Sequence, residues 1–536
     1  MKDSYVEACG FILNLRNNRE PLIKRSVVML IPTLAAYDTA TFCENYLHAS
    51  MSFLLSQLGK PSTTSSSGTA TTERAFAFVA IGHLAKPVRS ELKTFLDPIM
   101  KAVKEGLQAH GVTTHGGKKL GAQGGQSEEP LFQCIGMLAT AVGPNLTRFL
   151  HDQLELMFAC GLSEPLHQAL VAIARHIEPL LRTVQDLLLD VLSVILAGQP
   201  YKISANPRPD PIAAPMPASR DPLQLALALE ILGSFDFSGH ALDEFVRVAA
   251  VPYLDDDNSD VRHAAALACC RLFLREQPGS YNKTRTSVDA IDSVLEKLLM
   301  VGVADPDPDI RNTVLGNLDE RFDRHLAQAE HVRAIFIAVN DEVFDNRIAA
   351  IGLVGRLAVH NPAHVMPSLR KALSQLMTEL QYSPVQRGKE DSARLLTTLA
   401  SATRPLIHSY ALSMLKVLLP KASDPNQAVA ANAIMCLGEL ATVGGEDYLP
   451  HVHELMAIII ACLKDPAAHD KRDAALRALG QICSSTSYVV EPLVDYPELL
   501  PSLVKIFAQE QSQDVKREVT KVLGVLGAID PYRRQV

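Results

Sequence analysis

The sequence contains no tryptophan, and aromatic residues make up only 5% of its 536 residues. Strands of a β-sheet favour aromatic and β-branched side chains, so this scarcity disfavours a sheet-based fold. Hydrophobic residues nevertheless reach 47%, which suits repeated contacts between helices. Because a single core stops growing at roughly 250 to 300 residues, the chain is predicted to be all-α and built from several domains or stacked repeats.

Cysteine pairs with the spacing of metal sites are also absent, and so is an excess of basic over acidic residues. Nine cysteines are scattered along the chain, and none has the C-x-x-C spacing of zinc sites. They are typical of small buried residues in a reducing compartment, which predicts an intracellular protein. The formal net charge is -8 with both signs interspersed, so nucleic acid is disfavoured as a partner.

Long apolar runs are absent as well. No stretch reaches the ~18 uninterrupted apolar residues of a membrane span, and the run from Leu187 to Leu196 contains Asp190 and Ser193. The first sixteen residues lack the basic region, apolar stretch and cleavage site of a signal peptide. These features predict a soluble, cytoplasmic protein without membrane insertion.

What the sequence does contain is a repeated frame. A basic residue is followed eight residues later by glycine and ten residues later by an aliphatic residue. The frame begins at four basic residues: Arg74, Arg347, Arg472 and Lys516. Ala430 with Gly438 keeps the frame without the basic residue, and Arg262 with Cys270 replaces the glycine. Glycine inside a helix costs about 1 kcal/mol against alanine, so its recurrence predicts close helix packing.

The glycine position serves as a ruler for the repeat length. The later units fall at positions 355, 397, 438, 480 and 524, a spacing of 41 to 44 residues. Looser matches fall at 32, 82, 136, 174, 233 and 319. The spacing lies within the period of HEAT repeats, in which pairs of helices stack. We therefore expect an α-α superhelix, a HEAT-repeat solenoid of about a dozen helical hairpins.

One hairpin can be read from residues 455 to 483. Leu455, Ile458, Ile459 and Cys462 predict the apolar stripe of a first helix that ends at Lys464-Asp465-Pro466. The second helix then presents four apolar side chains: Ala474, Leu476, Leu479 and Ile482. Such a hairpin buries its apolar face only against its neighbours.

Acidic turns precede two of the second helices. Asp305 to Arg311 and Asp255 to Arg262 place aspartates before a helix, where their oxygens cap free N–H groups. We expect the arginine after each turn to bridge to an aspartate of the adjacent turn, as a ladder whose exposed pairs contribute little stability.

The repeats are more regular in the second half of the chain. Residues 1–240 are predicted to form irregular repeats and residues 241–536 regular ones that continue them. Three segments lack apolar periodicity, and we expect mobile insertions there. They are residues 60–72, 111–129 and 200–222.

Several strings imitate sites that carry chemistry. Asp236 to Gly239 resembles a kinase D-F-G with one inserted residue, but a helix-ending turn is the better interpretation. Residues 111–119 lack the Gly-Lys-Ser/Thr of a P-loop. Asp305, Asp307 and Asp309 imitate a calcium loop, but Ile310 stands where glycine is required.

His453-Glu454 opens an H-E-x-x-H frame that fails at Ala457. We therefore predict no catalytic, cofactor-binding or metal-binding residues, no cofactor and no small-molecule substrate. Partner-binding residues are not identified by the periodicity.

Six strings resemble the amino-terminal HEAT solenoid of the target of rapamycin (TOR) kinases. They are Asp305 to Arg311, Leu318 to Asp323, His325 to Glu330, Asn361 to Pro367, Ser487 to Pro492 and Val522 to Tyr532. The resemblance is dense from about residue 290 onward. It implies an internal fragment of a large serine/threonine protein kinase whose catalytic domain lies outside this chain. The chain itself is then not an enzyme.

The resemblance also implies partners. In the TOR family this solenoid contacts Raptor, the subunit that recruits substrates, within a dimeric nutrient-sensing complex, so Raptor and a second TOR protomer are the expected partners. It implies a cytoplasmic protein that is recruited to the vacuole or lysosome surface as part of a complex. Two alternatives share the repeat: a transport receptor of the importin type and a phosphatase scaffold. The absence of tryptophan argues against the importin type.

Overall fold

The computed structural model describes residues 2–18, 20–59, 68–115, 128–199, 201, 221–240, 242–272, 285–465 and 469–527. Within these ranges the regular structure is helical and no β-strand occurs, which confirms the all-α prediction. Contacts divide the chain into two compact units, Met1–Phe273 and Leu274–Val536.

The first unit contains fourteen α-helices in its described residues. They are α1 (Lys2–Asn14), α2 (Pro21–Tyr37), α3 (Thr39–Asn45), α4 (Leu47–Gln57), α5 (Gly68–Val88), α6 (Leu96–His115), α7 (Glu129–Val142), α8 (Thr147–His151), α9 (Leu154–Ala159), α10 (Glu164–His176), α11 (Glu178–Ala197), α12 (Pro222–Ser234), α13 (Asp243–Ala249) and α14 (Ser259–Leu272). Short 3-10 turns lie at Leu15–Asn17, Arg89–Phe95, Gly143–Leu146 and Val251–Asp255.

The second unit continues the numbering. Its helices are α15 (Arg285–Ala304), α16 (Pro308–Asn317), α17 (Asp323–Leu326), α18 (Ala329–Ala338), α19 (Phe344–His360), α20 (Pro362–Tyr382), α21 (Gln386–Ala402), α22 (Arg404–Ile407), α23 (Ala411–Lys421), α24 (Gln427–Gly444), α25 (Leu449–Lys464), α26 (His469–Thr486), α27 (Glu491–Asp495), α28 (Leu499–Gln509) and α29 (Gln513–Leu526). Its 3-10 turns are Glu320–Phe322, His408–Tyr410 and Gly445–Tyr448.

The second unit is a stack of helical hairpins. Each first helix (α15, α18, α20, α23, α25, α28) packs on the second helix that follows it (α16, α19, α21, α24, α26, α29). The second helices also pack on one another in chain order. In the first unit, α5 packs on α7, α7 on α10, and α12 on α14. Each hairpin therefore completes its core with its neighbours, as the repeat predicts.

The ruler position has a fixed place in the second helices. Residues 355, 397, 438, 480 and 524 are each the twelfth residue of their helix. A Cβ added at Gly438 would lie 2.8 Å from the Cα of Ala478, and one at Gly355 would lie 2.7 Å from the Cβ of Ala402. Close packing is confirmed at these two glycines.

Two of the positions used to measure the repeat, 524 and 319, do not lie in a closely packed helix as predicted. At Gly524 an added Cβ would meet nothing within 4 Å, because no described helix packs on that side of α29. Position 319 is not in a helix, since α16 ends at Asn317 and Asp319 caps the 3-10 turn that follows. The turn shortens the helix before the frame is complete.

The hairpin of α25 and α26 follows its prediction with one shift. α25 ends at Lys464, and the four predicted apolar residues of α26 are buried. In α25, however, Ile458 and Cys462 are only half-buried. The buried face consists of Val452, Leu455, Met456, Ile459, Ile460 and Leu463. Because α25 contacts both α26 and α28, its buried face is rotated and wider than a single stripe.

The predicted insertions lie mostly outside the described residues. Their described edges include residues 68–72 and 111–115, which are helical because α5 and α6 extend into them. The loop prediction is therefore wrong at those edges. The division of the chain at residue 240 stays a prediction.

The aspartate–arginine ladder is present at Arg311. Asp307 caps α16 by accepting a hydrogen bond from the N–H of Asp309 at 2.9 Å. Arg311 donates to the carbonyl of Asp305 at 2.7 Å, and its Nε and Nη2 reach the two carboxylate oxygens of Asp341, in the turn before α19, at 2.7 and 3.0 Å. The expected bridge is confirmed here.

Both side chains of the Arg311–Asp341 pair are buried, so the low stability expected of exposed pairs does not apply to it. Burial alone would raise the pKa of Asp341, but the hydrogen bonds and positive charge of Arg311, together with hydrogen bonds from the N–H of Val343 and from Asn346, outweigh it, and the pKa lies below its ordinary value. Removing one partner of a buried pair leaves an uncompensated charge. Breaking this rung should therefore destabilise the fold more than breaking an exposed pair would.

One described stretch, Gln427–Lys464, is long and apolar enough to pass a membrane-span test by length and composition. It consists of two helices, α24 and α25, separated by a 3-10 turn that starts at Gly445 with φ +52°. α24 packs between α21 and α26, and more than half of the apolar window is buried. These are properties of core helices, so the stretch is weak support for a membrane span.

Candidate partner-binding site

The strings that imitate chemical sites have structural roles. Asp305 and Asp307 belong to the turn that caps α16, and Asp309 is the second residue of that helix. Asp236 to Gly239 is the predicted turn after α12: Asp236 accepts from the N–H of Ser238 at 3.0 Å, and Gly239 has φ +90°. His453 on α25 lies 3.2 Å from the hydroxyl of Tyr496. Within the described residues, no group of three or more His, Cys, Asp or Glu side chains is arranged to hold a metal.

A polar pocket of about 560 Å³ opens on the second unit. It lies where the turn from α17 to α18 meets the turn from α19 to α20. Its lining is Arg324, Ala327, Gln328, Ala329, Glu330, His360, Asn361 and His364. The two turns come together because α18 packs on both α19 and α20.

A charged network supports one wall of this pocket. Asp323 is buried, and its carboxylate accepts from Nε of Arg356 on α19 at 3.1 Å. Arg356 also donates to the carbonyl of Leu318. His360, one turn further along α19, brings its Nε2 to 3.7 Å from the same carboxylate. The start of α17 is thereby fixed to the end of α19.

Side-chain bonds to backbone carbonyls hold the other wall. Asn361 donates from Nδ2 to the carbonyl of Ala327 at 3.0 Å, and Nδ1 of His364 lies 3.4 Å from the same oxygen. Nδ1 of His331 lies 2.9 Å from the carbonyl of His325. Of these three side chains only His331 is buried, and together their bonds connect the turn before α18 to the start of α20.

Exposed polar side chains form the rim of the pocket. Arg324, Glu330 and His364 are exposed at the rim, and none of the three stands in a nucleophile–base arrangement. The lining contains a cation, an anion and amide groups, which can pair with polar side chains on the surface of a partner protein. The sequence did not reveal this site because its two halves are more than thirty residues apart. The only signal was that both halves lie in strings that resemble TOR.

Comparisons with known proteins agree with that resemblance. A sequence profile described as "HEAT-like repeat" matches residues 431–482, and one described as "Serine/threonine-protein kinase mTOR domain" matches residues 489–536. Serine/threonine-protein kinase tor1 of Schizosaccharomyces pombe is 42% identical over 540 residues, which covers 99% of this chain. The chain belongs to the TOR kinase family. TOR2 of Saccharomyces cerevisiae and TOR of Arabidopsis thaliana are each 35% identical over 557 residues, covering 100% and 99% of the chain.

This TOR segment spans 22% of the length of the S. pombe and S. cerevisiae relatives and 21% of the A. thaliana one. Its described residues form stacked helical pairs, and the HEAT-like repeat match falls on α24 and α26 of that stack. The segment is therefore of the type that mediates protein–protein interaction.

Solved structures show the same fold. A crystal structure of importin beta matches 98% of the TOR segment and 62% of its own chain, with a TM-score of 0.66 and 12% identity. A Kap121p mutant matches 98% of the segment and 52% of its own chain, with a TM-score of 0.58 and 15% identity. At these identities the likeness shows the helical-repeat solenoid fold and carries no function.

Proposed function

We propose that this chain is a protein-binding scaffold of a TOR serine/threonine kinase, which docks a Raptor-type subunit in a nutrient-responsive growth-control complex. The observation that carries the proposal is the match to TOR kinases over 99% of the chain at 42% identity. The importin-like fold alone favours the alternative of a transport receptor, but at 12% identity it supports only the shared architecture.

The mechanism that we propose is geometric. Stable protein–protein interfaces bury roughly 1,200 Å² or more, and a stack of hairpins offers such an area on exposed helix faces and turns. The hydrogen-bonded pocket beside Asn361 supplies a rigid point of attachment. A rigid scaffold then determines where the bound subunit sits relative to the kinase domain of the full-length protein.

A second TOR protomer is a further proposed partner. We also propose that the protein is cytoplasmic and is recruited to the vacuole or lysosome surface as part of a complex. The nine cysteines support an intracellular site, since all are free thiols in the structure. Fluorescence microscopy of the tagged full-length protein, with and without nutrients, tests this localisation.

Co-purification of the recombinant chain with a Raptor-type subunit tests the docking. We expect retention of the subunit and weaker retention by Arg324→Glu at the pocket rim. The control is Lys416→Glu, which makes the same charge change on the exposed side of α23. Failure of the unmodified chain to retain the subunit would contradict the proposal. Retention of a basic localisation peptide instead would favour the transport receptor, and co-purification with phosphatase subunits would favour the phosphatase scaffold.

A further inference from the structure

The second helices of the second unit leave one face open. Each packs on its own first helix and on the neighbouring second helices, so only the remaining side is accessible. In α24 this accessible side is formed by half-buried residues at helical spacing, and the residues between them are buried. The half-buried residues are Ala428, Asn432, Met435, Glu439 and Thr442. The open face is therefore a narrow strip on each helix.

The ninth residue of each second helix lies on this open face. In α16 and α19 it is Gly316 and Gly352, both exposed, and an added Cβ at either would meet nothing within 4 Å. In α21 and α26 it is Arg394 and Arg477, each exposed between buried neighbours. The same position is the half-buried Met435 in α24.

In α29 the ninth residue is Lys521, which is exposed beside the buried Val522. Three of four successive second helices thus present a cation at the same place on one face. The pattern is local, because the chain as a whole carries a net charge of -8. We define the cationic row as Arg394, Met435, Arg477 and Lys521.

The acidic groups near the row are partly neutralised. Glu439 accepts from Arg404 at 2.8 Å and from Gln481 at 2.6 Å. Glu518 lies 3.1 Å from Lys521 on the same helix. Asp473 is half-buried, four residues before Arg477. The guanidinium of Arg394 stacks over the ring of Phe344, 4.7 Å from its centre, which leaves its N–H edge available.

We propose that the cationic row is a docking surface for an extended acidic segment of a partner protein. This inference rests on the proposed function of the chain as a protein-binding scaffold. Charge complementarity selects the occupant: arginine binds carboxylates through paired N–H donors, and Met435 offers an apolar contact between the two arginines. At the same position α16 and α19 carry the glycines Gly316 and Gly352, which have no side chain, so the row stops at this end of the stack.

The spacing of the row predicts the spacing of the acidic residues. Packed helices lie roughly 8 to 10 Å apart, and an extended chain advances about 3.3 Å per residue. Acidic residues about three positions apart then reach Arg477 and Lys521, on adjacent helices. A third acidic residue, about six positions from the one at Arg477, reaches Arg394. An apolar residue midway between these two meets Met435.

The test is the affinity of a fluorescein-labelled synthetic peptide with glutamates at these spacings, measured by anisotropy with the full chain. We expect binding that falls at least tenfold in the variant R394E/R477E/K521E. The matched control is K371E/K416E/K505E, which makes the same charge change on the exposed faces of the first helices α20, α23 and α28. The control variant should bind the peptide as the unmodified chain does.

A charge-swapped peptide separates a lost contact from a damaged fold. If lysines replace the glutamates, the row variant should bind this peptide better than the unmodified chain does. No binding by the unmodified chain, or equal losses in the two variants, would overturn the inference. Retention of a Raptor-type subunit by a chain that does not bind the acidic peptide would leave the proposed function standing. Binding of the acidic peptide by a chain that does not retain a Raptor-type subunit would overturn the proposed function alone.

Discussion

Alanine substitutions at two equivalent glycines should have opposite effects on stability. Gly438 and Gly524 occupy the twelfth position of α24 and α29. Each substitution removes a helix-interior glycine and should gain up to about 1 kcal/mol from helix propensity. At Gly438 the new Cβ would lie 2.8 Å from the backbone Cα of Ala478 and also meet Gln481, so α24 and α26 must separate.

Overpacking of this kind costs roughly 1 to 3 kcal/mol. Because the propensity gain is common to both variants, the difference between them isolates the packing, and Gly438→Ala should be less stable than Gly524→Ala by that amount. Stacked repeats need not unfold in a single step, so the assay is amide hydrogen exchange resolved by helix. Protection should fall in α24 and α26 of Gly438→Ala and rise in α29 of Gly524→Ala. Equal stabilisation of both variants would refute close packing at Gly438.

Three further predictions concern the second unit and the chain's chemistry. Arg311→Met should destabilise α16 and α19 by about 3 to 5 kcal/mol, because it removes the charged partner of the buried Asp341 carboxylate and leaves that carboxylate only its hydrogen bond from the N–H of Val343 and its contact with Asn346. Arg321→Met, at a more exposed pair with Asp319, is the control in hydrogen exchange. Since the pKa of Asp341 is lowered, the stability from this pair should be complete above about pH 4 and decrease as pH falls further, measured by exchange protection of α19. The purified chain should show no ATP hydrolysis or phosphoryl transfer above background; turnover that follows the chain through purification would contradict its non-catalytic role.

The sequence predicted the architecture because the determinants of a repeat are local. Apolar side chains at helical spacing, a glycine at position twelve in four of the last five second helices, and the acidic turns all lie within single hairpins, and they predicted the fold class and the helices of the last repeats. Contacts with neighbouring helices determine the features that the frame does not predict. Gly438 and Gly524 are identical in the frame, yet only Gly438 has a helix against it. Position 319 was a looser match to the frame, and it lies beyond the end of α16.

Burial and the binding surfaces could not be predicted in the same way. The sequence predicted that Arg311 bridges to an aspartate of the adjacent turn but did not predict its burial; packing of α16 against α19 buries both Arg311 and Asp341. The pocket needs Ala327 and Asn361 to meet, and no periodic signal joins residues so far apart. The cationic row was present in the sequence at intervals of 41 to 44 residues. It is recognisable only when the structure shows that the ninth position lies on the exposed side of the second helices.

The most direct test of the scaffold account is a hydrogen-exchange map of the chain with and without a purified Raptor-type subunit. The account predicts added protection on exposed helix faces and inter-repeat turns, including segments 324–330 and 360–364 that line the pocket, with buried helices unchanged. A map that is identical in the presence of saturating subunit would contradict docking by this chain.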